Sequence, residues 1–590
     1  MIARPRRWVA VLYVVVVLVL PLVTPAYTLT LLGYVGMAAL VALGLVILTG
    51  VGGLTSFGQA AFAGMGAYAS AILATHFAVD PWLGLLASLL ASGGLALVLG
   101  LVTLRLPGHL LPLSTIAWGL AIYYLFGELA ITGGHDGIGN VPPAFLFGHP
   151  ITGPRGSFWL IAAVLGVALA LSANLLAGRA GRAIRTLRGG AAMAESLGIA
   201  PQPLRLAVFV LAGVYAGASG WLLAHTQRFV SPPAFDVEPG IQYLFMAMLG
   251  GAGQIWGALL GAFAVVVARD LLQGWLGLIF SDAGQAETVV FGAMFIAMMQ
   301  LAPGGLIPTF RRLLPARRRP APPPAEAADL PRRTMPARGT IVLEAQHLIR
   351  RFGGLVAVND VGFSLATGEI LGLIGPNGAG KSTLFNLLTG TLAPTAGRIR
   401  FLGRETTRAR APAIAELGMA RTFQHVKLRP RMSALENVML GAYLRTRGGV
   451  LSGLLGLGSV EDRRAAAAAM HALARVGLAG MAGEPAGNLA LGQQRLLEVA
   501  RALAADPVLL VLDEPAAGLR AGEKRELAEL LRSLRDDGVA ILLVEHDMGF
   551  VMDLVDRLVV MDFGARIAEG VPETVRADPR VQEAYLGGVA

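Results

Sequence analysis

Nine apolar runs of about 20 residues follow one another through the first 310 residues, at 8–25, 28–48, 60–76, 82–104, 113–131, 158–176, 206–225, 241–268 and 287–301. A helix of that length rises far enough to cross roughly 30 Å of hydrocarbon. A single such run also describes a buried core helix, but nine in succession do not. The run 241–268 contains Leu249-Gly250-Gly251-Ala252-Gly253. Glycines in series weaken a helix, so this run reads as a short helix followed by a full one, making ten. Residues 1–310 therefore read as a polytopic α-helical transmembrane domain.

Arginine placement orients it. Arg4, Arg6 and Arg7 precede the first run, Arg179, Arg182, Arg185, Arg188 and Arg205 crowd the gap after the sixth, and Arg311, Arg312 and Arg317–Arg319 follow the last. With an even number of spans all three groups fall on the cytoplasmic side, as the positive-inside rule requires. The first run also resembles a signal peptide, but no A-x-A site follows and the topology needs that helix. Gly213-x-x-x-Gly217 and Gly257-x-x-x-Gly261 fit close helix approach, although the chain is glycine-rich throughout. Glu128, Asp136, Asp236 and Glu238 fall at run ends, where water rather than solute is the ordinary neighbour.

The net charge of +10 invites a nucleic-acid reading. Its distribution removes that reading. Six of the ten units lie in 311–340, which carries eight arginines, seven prolines and no aromatic residue. Without stacking or base-reading side chains the segment is a proline-stiffened cytoplasmic tether, its arginines drawn to anionic lipid headgroups. The absence of cysteine excludes disulfides, thiol catalysis and thiolate metal sites.

The charge-rich remainder, 341–590, carries nucleotide chemistry. A short apolar stretch, 369–374, runs into Gly375-Pro-Asn377-Gly378-Ala-Gly380-Lys381-Ser382-Thr383 and then an apolar helix. This is the P-loop pattern in its strand–loop–helix setting. Glycine lets backbone wrap phosphate, the helix N-terminus supplies N–H groups, Lys381 neutralises β/γ-phosphate charge, and the Ser382 hydroxyl suits Mg²⁺. Lys381 is also the first lysine in the chain. A second strand, 508–512, ends in Asp513-Glu514, one carboxylate suited to Mg²⁺ and the other to polarising water. A third, 540–544, is followed by Glu545-His546, which places an imidazole near the same edge.

These motifs resemble the nucleotide-binding domain of ABC transporters, an α/β P-loop ATPase. The whole chain resembles a fusion of a permease subunit with an ATP-binding subunit of branched-chain amino acid-type ABC importers. The ATPase part matches at Phe352-Gly-Gly, Arg421-Thr-Phe-Gln424, Leu435-Glu-Asn-Val, Leu491-Gly-Gln-Gln-Arg-Leu, Leu512-Asp-Glu-Pro-Ala-Ala-Gly-Leu519, Val544-Glu-His-Asp-Met548 and Ala584-Tyr-Leu-Gly. The permease part matches at Leu54-Thr-Ser-Phe-Gly-Gln-Ala-Ala-Phe-Ala-Gly, Gly66-Ala-Tyr, Thr132-Gly-Gly-x-x-Gly-Ile138, Ser196-Leu-Gly-Ile199 and Met248-Leu-Gly-Gly-Ala-Gly.

The resemblance implies roles. Phe352 stacks on adenine, Gln424 touches Mg²⁺ or water, and His546 holds the γ-phosphate. Residues 489–493, with Gly492 and Gln493, form the signature segment that completes the ATP site of a facing ATPase domain. A second ATPase and a second permease are then required, as separate chains or a second copy, with a periplasmic substrate-binding protein delivering the solute at a bacterial inner membrane. Residues 194–199, in the basic 179–206 loop, resemble the coupling helix. Three positions depart from the family pattern: Ala490 replaces the signature serine, Leu491 replaces a glycine, and Arg520 stands where an uncharged polar or acidic residue is usual. The competing reading, a half-transporter exporting lipids or drugs, expects six spans with long cytoplasmic helical extensions.

Overall fold

Among the described residues the nine apolar runs fold as ten helices: Ala3–Val23, Ala26–Leu45, Gln59–His76, Pro81–Thr103, Leu110–Glu128, Gly153–Ala177, Pro201–Gln227, Val237–Gly251, Ile255–Leu276 and Ala283–Leu301. The computed structural model describes residues 3–106, 110–276, 283–302, 304–313 and 330–586. Most of the tether, including Arg317–Arg319, lies outside them. The chain forms two compact units.

In the first unit, Met1–Ala177 with Gln202–Arg317 and Leu454–Gly456, ten helices do not mean ten crossings. Six of the described helices are long and apolar enough to cross a membrane: Ala26–Val51, Pro81–Thr103, Leu110–Glu128, Gly153–Ala177, Pro201–Gln227 and Ile255–Trp275. The glycine-broken run gives Val237–Gly251, 15 residues long, which reaches about 22 Å and falls short of a span. A Cβ at Gly257 would press on Gly250, and one at Gly261 would overlap Met246 O, so Val237–Gly251 and Ile255–Leu276 form an antiparallel hairpin at backbone contact. Gly213 and Gly217 likewise admit the helix Pro81–Thr103, whose Ala96 Cβ lies 2.6 Å from where a Gly213 Cβ would stand. Both small-residue pairs are packing seams.

The second unit comprises Gly178–Pro201, Arg318–Gly453 and Leu457–Ala590. Its main sheet has six strands in the order Ala565–Gly570, Arg557–Asp562, Ile370–Ile374, Ala540–Val544, Leu509–Asp513, Met419–Arg421. All neighbours are parallel except the first pair. The three central strands are buried along their whole length, as near-continuous apolar runs in a parallel sheet require. A second, antiparallel sheet is built from Leu355–Ala366, Ile341–Phe352, Ala396–Phe401 and Arg404–Glu405.

Candidate ATP site

Three central strands end side by side, and their C-terminal residues carry the chemistry. Ile370–Ile374 leads into the loop 375–380 and the helix Lys381–Leu388. Gly375, Gly378 and Gly380 hold φ of 150°, 86° and 95°, a region that strains any residue with a Cβ. Lys381 Nζ donates to Gly375 O at 2.6 Å and Pro376 O at 2.8 Å, folding the loop over its own ammonium. Burial lowers the Lys381 pKa, while the charges of Glu514 and Asp513 oppose that shift. Ser382 and Asn377 are exposed, and Thr383 is half-buried.

Asp513 ends the next strand, 8% exposed, its backbone N–H donating to Thr422 Oγ1. Burial, and then the adjacent Glu514 charge, push its pKa up to about 6. A buried carboxylate beside a second, partly exposed one suits a cation. No cluster of three or more His, Asp or Glu side chains able to hold a metal occurs among the described residues. A Mg²⁺ here would therefore rely on Asp513, Ser382 and Gln424 together with nucleotide oxygens.

Glu514 sits just beyond the strand at φ 48°, held there by its N–H donating to Val544 O. One carboxylate oxygen, Oε1, accepts from Gln424 Nε2 at 3.0 Å and from His546 Nε2 at 2.7 Å. A carboxylate only accepts, so both nitrogens carry the hydrogens. Three residues singled out from separate motifs thus meet on one atom. Phe352 ends a strand of the antiparallel sheet, 42% exposed, with the Arg350 guanidinium 4.5 Å from its ring centre. Gly492 and Gln493 make their contacts elsewhere: Gly492 lies against Glu523 and Leu519, and Gln493 Oε1 accepts from Ala490 N.

Sequence reasoning passed over Glu545. Its buried carboxylate accepts from Ala516 N at 2.6 Å and from His546 N at 3.1 Å, tying the backbone after Glu514 to that of the histidine. The buried Glu498–Arg501 pair was also missed. Glu498 accepts from Lys427 N and Arg501 donates to Lys427 O, while Arg495 donates to Phe423 O. The helix Leu491–Leu503 thereby clamps the segment around Gln424. The only signal in the sequence was a charged pair three residues apart on an apolar helix.

Gly178–Pro201 packs inside this same unit. Arg182 pairs with Asp462, Arg179 stacks 3.5 Å from the Tyr443 ring centre, and buried Met193 places its sulfur 3.7 Å from Arg429 Nη2. Arg429 lies five residues beyond Gln424.

A P-loop, a strand-end carboxylate pair and a histidine on one parallel sheet, in a chain whose other unit is apolar helices, define an ABC transport ATPase joined to a membrane domain. Three family models match: a branched-chain amino acid transport system permease component over 27–299, ABC transporter over 358–517, and a branched-chain amino acid ATP-binding cassette transporter over 565–590. The ATP-binding proteins LivG of Salmonella typhimurium and of Escherichia coli K12, both of high-affinity branched-chain amino acid transport, are 45% identical over 42% of this chain and 98% of their own length. BraF of Pseudomonas aeruginosa is 44% identical with the same coverage. A crystal structure of a nucleotide-free ATP-binding cassette from an ABC transporter is 31% identical over 42% of this chain and 99% of its own, with a TM-score of 0.38. The chain belongs to the branched-chain amino acid ABC transporter family, as a multi-pass permease domain fused to a LivG-like ATPase whose hydrolysis is coupled to transport.

Proposed function

We propose that this protein imports a branched-chain amino acid, or a related small amino-acid-like or amide solute, across a bacterial inner membrane at the expense of ATP. The reading takes 1–310 as permease, 311–340 as tether and 341–590 as ATPase, with N-terminus and ATPase in the cytoplasm. It takes a second permease, a second ATPase and a periplasmic substrate-binding protein as partners. The observation that carries it is the convergence of Gln424 and His546 on Glu514 Oε1, in a chain whose other domain is a permease component of this transport system.

Lys381 and the N–H groups of Gly378, Gly380, Ser382 and Thr383 hold the phosphates, Phe352 takes the adenine, and Asn377 lies on the loop beside them. Mg²⁺, when bound by Ser382, Gln424 and Asp513, neutralises phosphate charge. Glu514 orients the attacking water and accepts its proton, while His546, positioned through Glu545, holds the γ-phosphate. Gly492 and Gln493 complete a facing site. The short connections between helices favour import over export of lipids or drugs.

Glu514→Gln is the test. It keeps the hydrogen-bonding shape but removes the base, so hydrolysis falls at least a hundredfold while ATP binding persists. Leucine uptake by cells carrying the variant is lost with it. Uptake that survives without hydrolysis, or export of preloaded solute, sinks the proposal.

A further inference from the structure

The helix Ala26–Leu45 continues through a π-helical turn, Val46–Val51, and the chain then runs irregularly through 52–58 before Gln59–His76 begins. The restart lies at membrane depth. Phe62 O accepts from Ser92 Oγ, and Ser92 is the middle residue of the spanning helix Pro81–Thr103. Gln59 is therefore one turn from mid-span. Irregular backbone at that depth occurs where it is buried in protein or lines a solute route.

Gln59 is fully buried, and its Nε2 reaches only Ser56 Oγ, at 3.4 Å, a residue also fully buried. Its Oε1 has no hydrogen-bond partner. An unmet carbonyl in an apolar slab costs free energy that packing alone does not return. The helix it opens has no side-chain cap, so first-turn N–H groups and a positive dipole end stand beside it. A second break packs here: a Cβ on Gly50 would overlap Gly253 N, and one on Gly240 would overlap Phe57 O. Gly253-Gln254 opens the helix Ile255–Leu276 just as Gly58-Gln59 opens its own. Paired glycine-broken helices are where carriers hold solute.

We propose that 52–59 is a solute-contact site, with Gln59 Oε1 accepting from the ammonium of an α-amino acid and the uncapped helix end facing its carboxylate. This rests on the amino-acid import reading above. The site is sealed in the conformation described, as an occluded state requires, and opens when the two breaks part.

The chain has no native cysteine, so Ser56→Cys gives a single thiol. Host cells lacking the native gene are complemented with full-length S56C, and the rate of methanethiosulfonate modification is measured during ATP turnover with and without leucine. Leucine is expected to slow modification at least fivefold, and 4-methylpentanoate, which lacks the ammonium, is expected not to. In parallel Gln59→Leu raises the KM for leucine about tenfold with the maximal rate nearly kept, the loss of one hydrogen bond to a charged group. Gln227→Leu, at an exposed polar position at the end of the helix Pro201–Gln227, leaves KM unchanged. A thiol that leucine does not protect, or that is never modified during turnover, overturns the site while wild-type leucine uptake keeps the import reading standing. So does a Q59L KM equal to wild type. Wild-type cells that take up no leucine overturn the reading and the site together.

Discussion

Asp513 illustrates how a residue's placement sets its energy. Held by the strand in a buried position beside Glu514, it carries a charge that the fold disfavours until a cation arrives. A carboxyl whose folded pKa lies near 6 binds its proton more tightly folded than unfolded. Stability of the nucleotide-free protein therefore falls as pH rises from about 4 through 6. Asp513→Asn removes that penalty: at pH 7.5 we expect a gain of about 1–3 kcal/mol, read by denaturant titration and shrinking as pH drops below 6. Arg421, Arg495 and His546 oppose the shift, which keeps the gain modest. A variant no more stable than wild type at pH 7.5 contradicts this.

Ala490 is a second case. It is the N-cap of the helix Leu491–Leu503, with no side-chain cap hydrogen bond from its methyl group. Ala490→Ser supplies a cap worth about 1 kcal/mol and, in the assembly we propose, a hydroxyl for the γ-phosphate of the facing site. Thermal unfolding should move upward, and turnover at that site should rise about tenfold. The wild-type site completed by Ala490 is then the slower of the two, and site-resolved turnover showing equal rates excludes this.

At the scale of elements, the segment Gly178–Pro201 is the informative one. Its short helices Arg179–Leu187 and Ala191–Ser196 leave the chain between two apolar helices, yet their side chains are buried with the ATPase unit. Met193 and Ala194 are fully buried there, and Arg429 links Met193 to the strand of chain that also carries Gln424. Glu195→Pro breaks the six-residue helix by removing an N–H and crowding the preceding turn. ATP binding should survive and hydrolysis should persist, while uptake per ATP collapses, measured as paired flux and phosphate release in the same vesicles. Unchanged uptake would refute the coupling role.

For the whole molecule, the orientation we propose rests on parity. Of the six described helices long and apolar enough to cross, four precede Arg179–Arg188 and two follow, an even number each. The arginine groups at 4–7, 179–205 and 311–319 then share one face. Because the chain lacks cysteine, His149→Cys in the 145–150 hairpin and Ala321→Cys in the tether report on opposite sides without background. A membrane-impermeant maleimide should label H149C in intact cells and A321C only after lysis. The reverse pattern inverts the topology.

Features set by near neighbours in the chain were legible from the sequence: the helix lengths, the break at Gly250–Gly253, the P-loop in its strand–helix setting, and the strand-end position of Asp513 and Glu514. Each follows from periodicity, glycine content or a turn spanning a few residues, and such local terms need no knowledge of the rest of the fold. Tertiary structure alone decided that Gln424 and His546 share one oxygen of Glu514, that Glu545 staples two loops, and that a helix of the apolar half restarts near the middle of its neighbour on a Gln59 whose Oε1 has no hydrogen-bond partner. These depend on strand order and on helix contacts between residues tens to hundreds of positions apart. There, burial and the pairing of polar groups are summed over neighbours that no local pattern names.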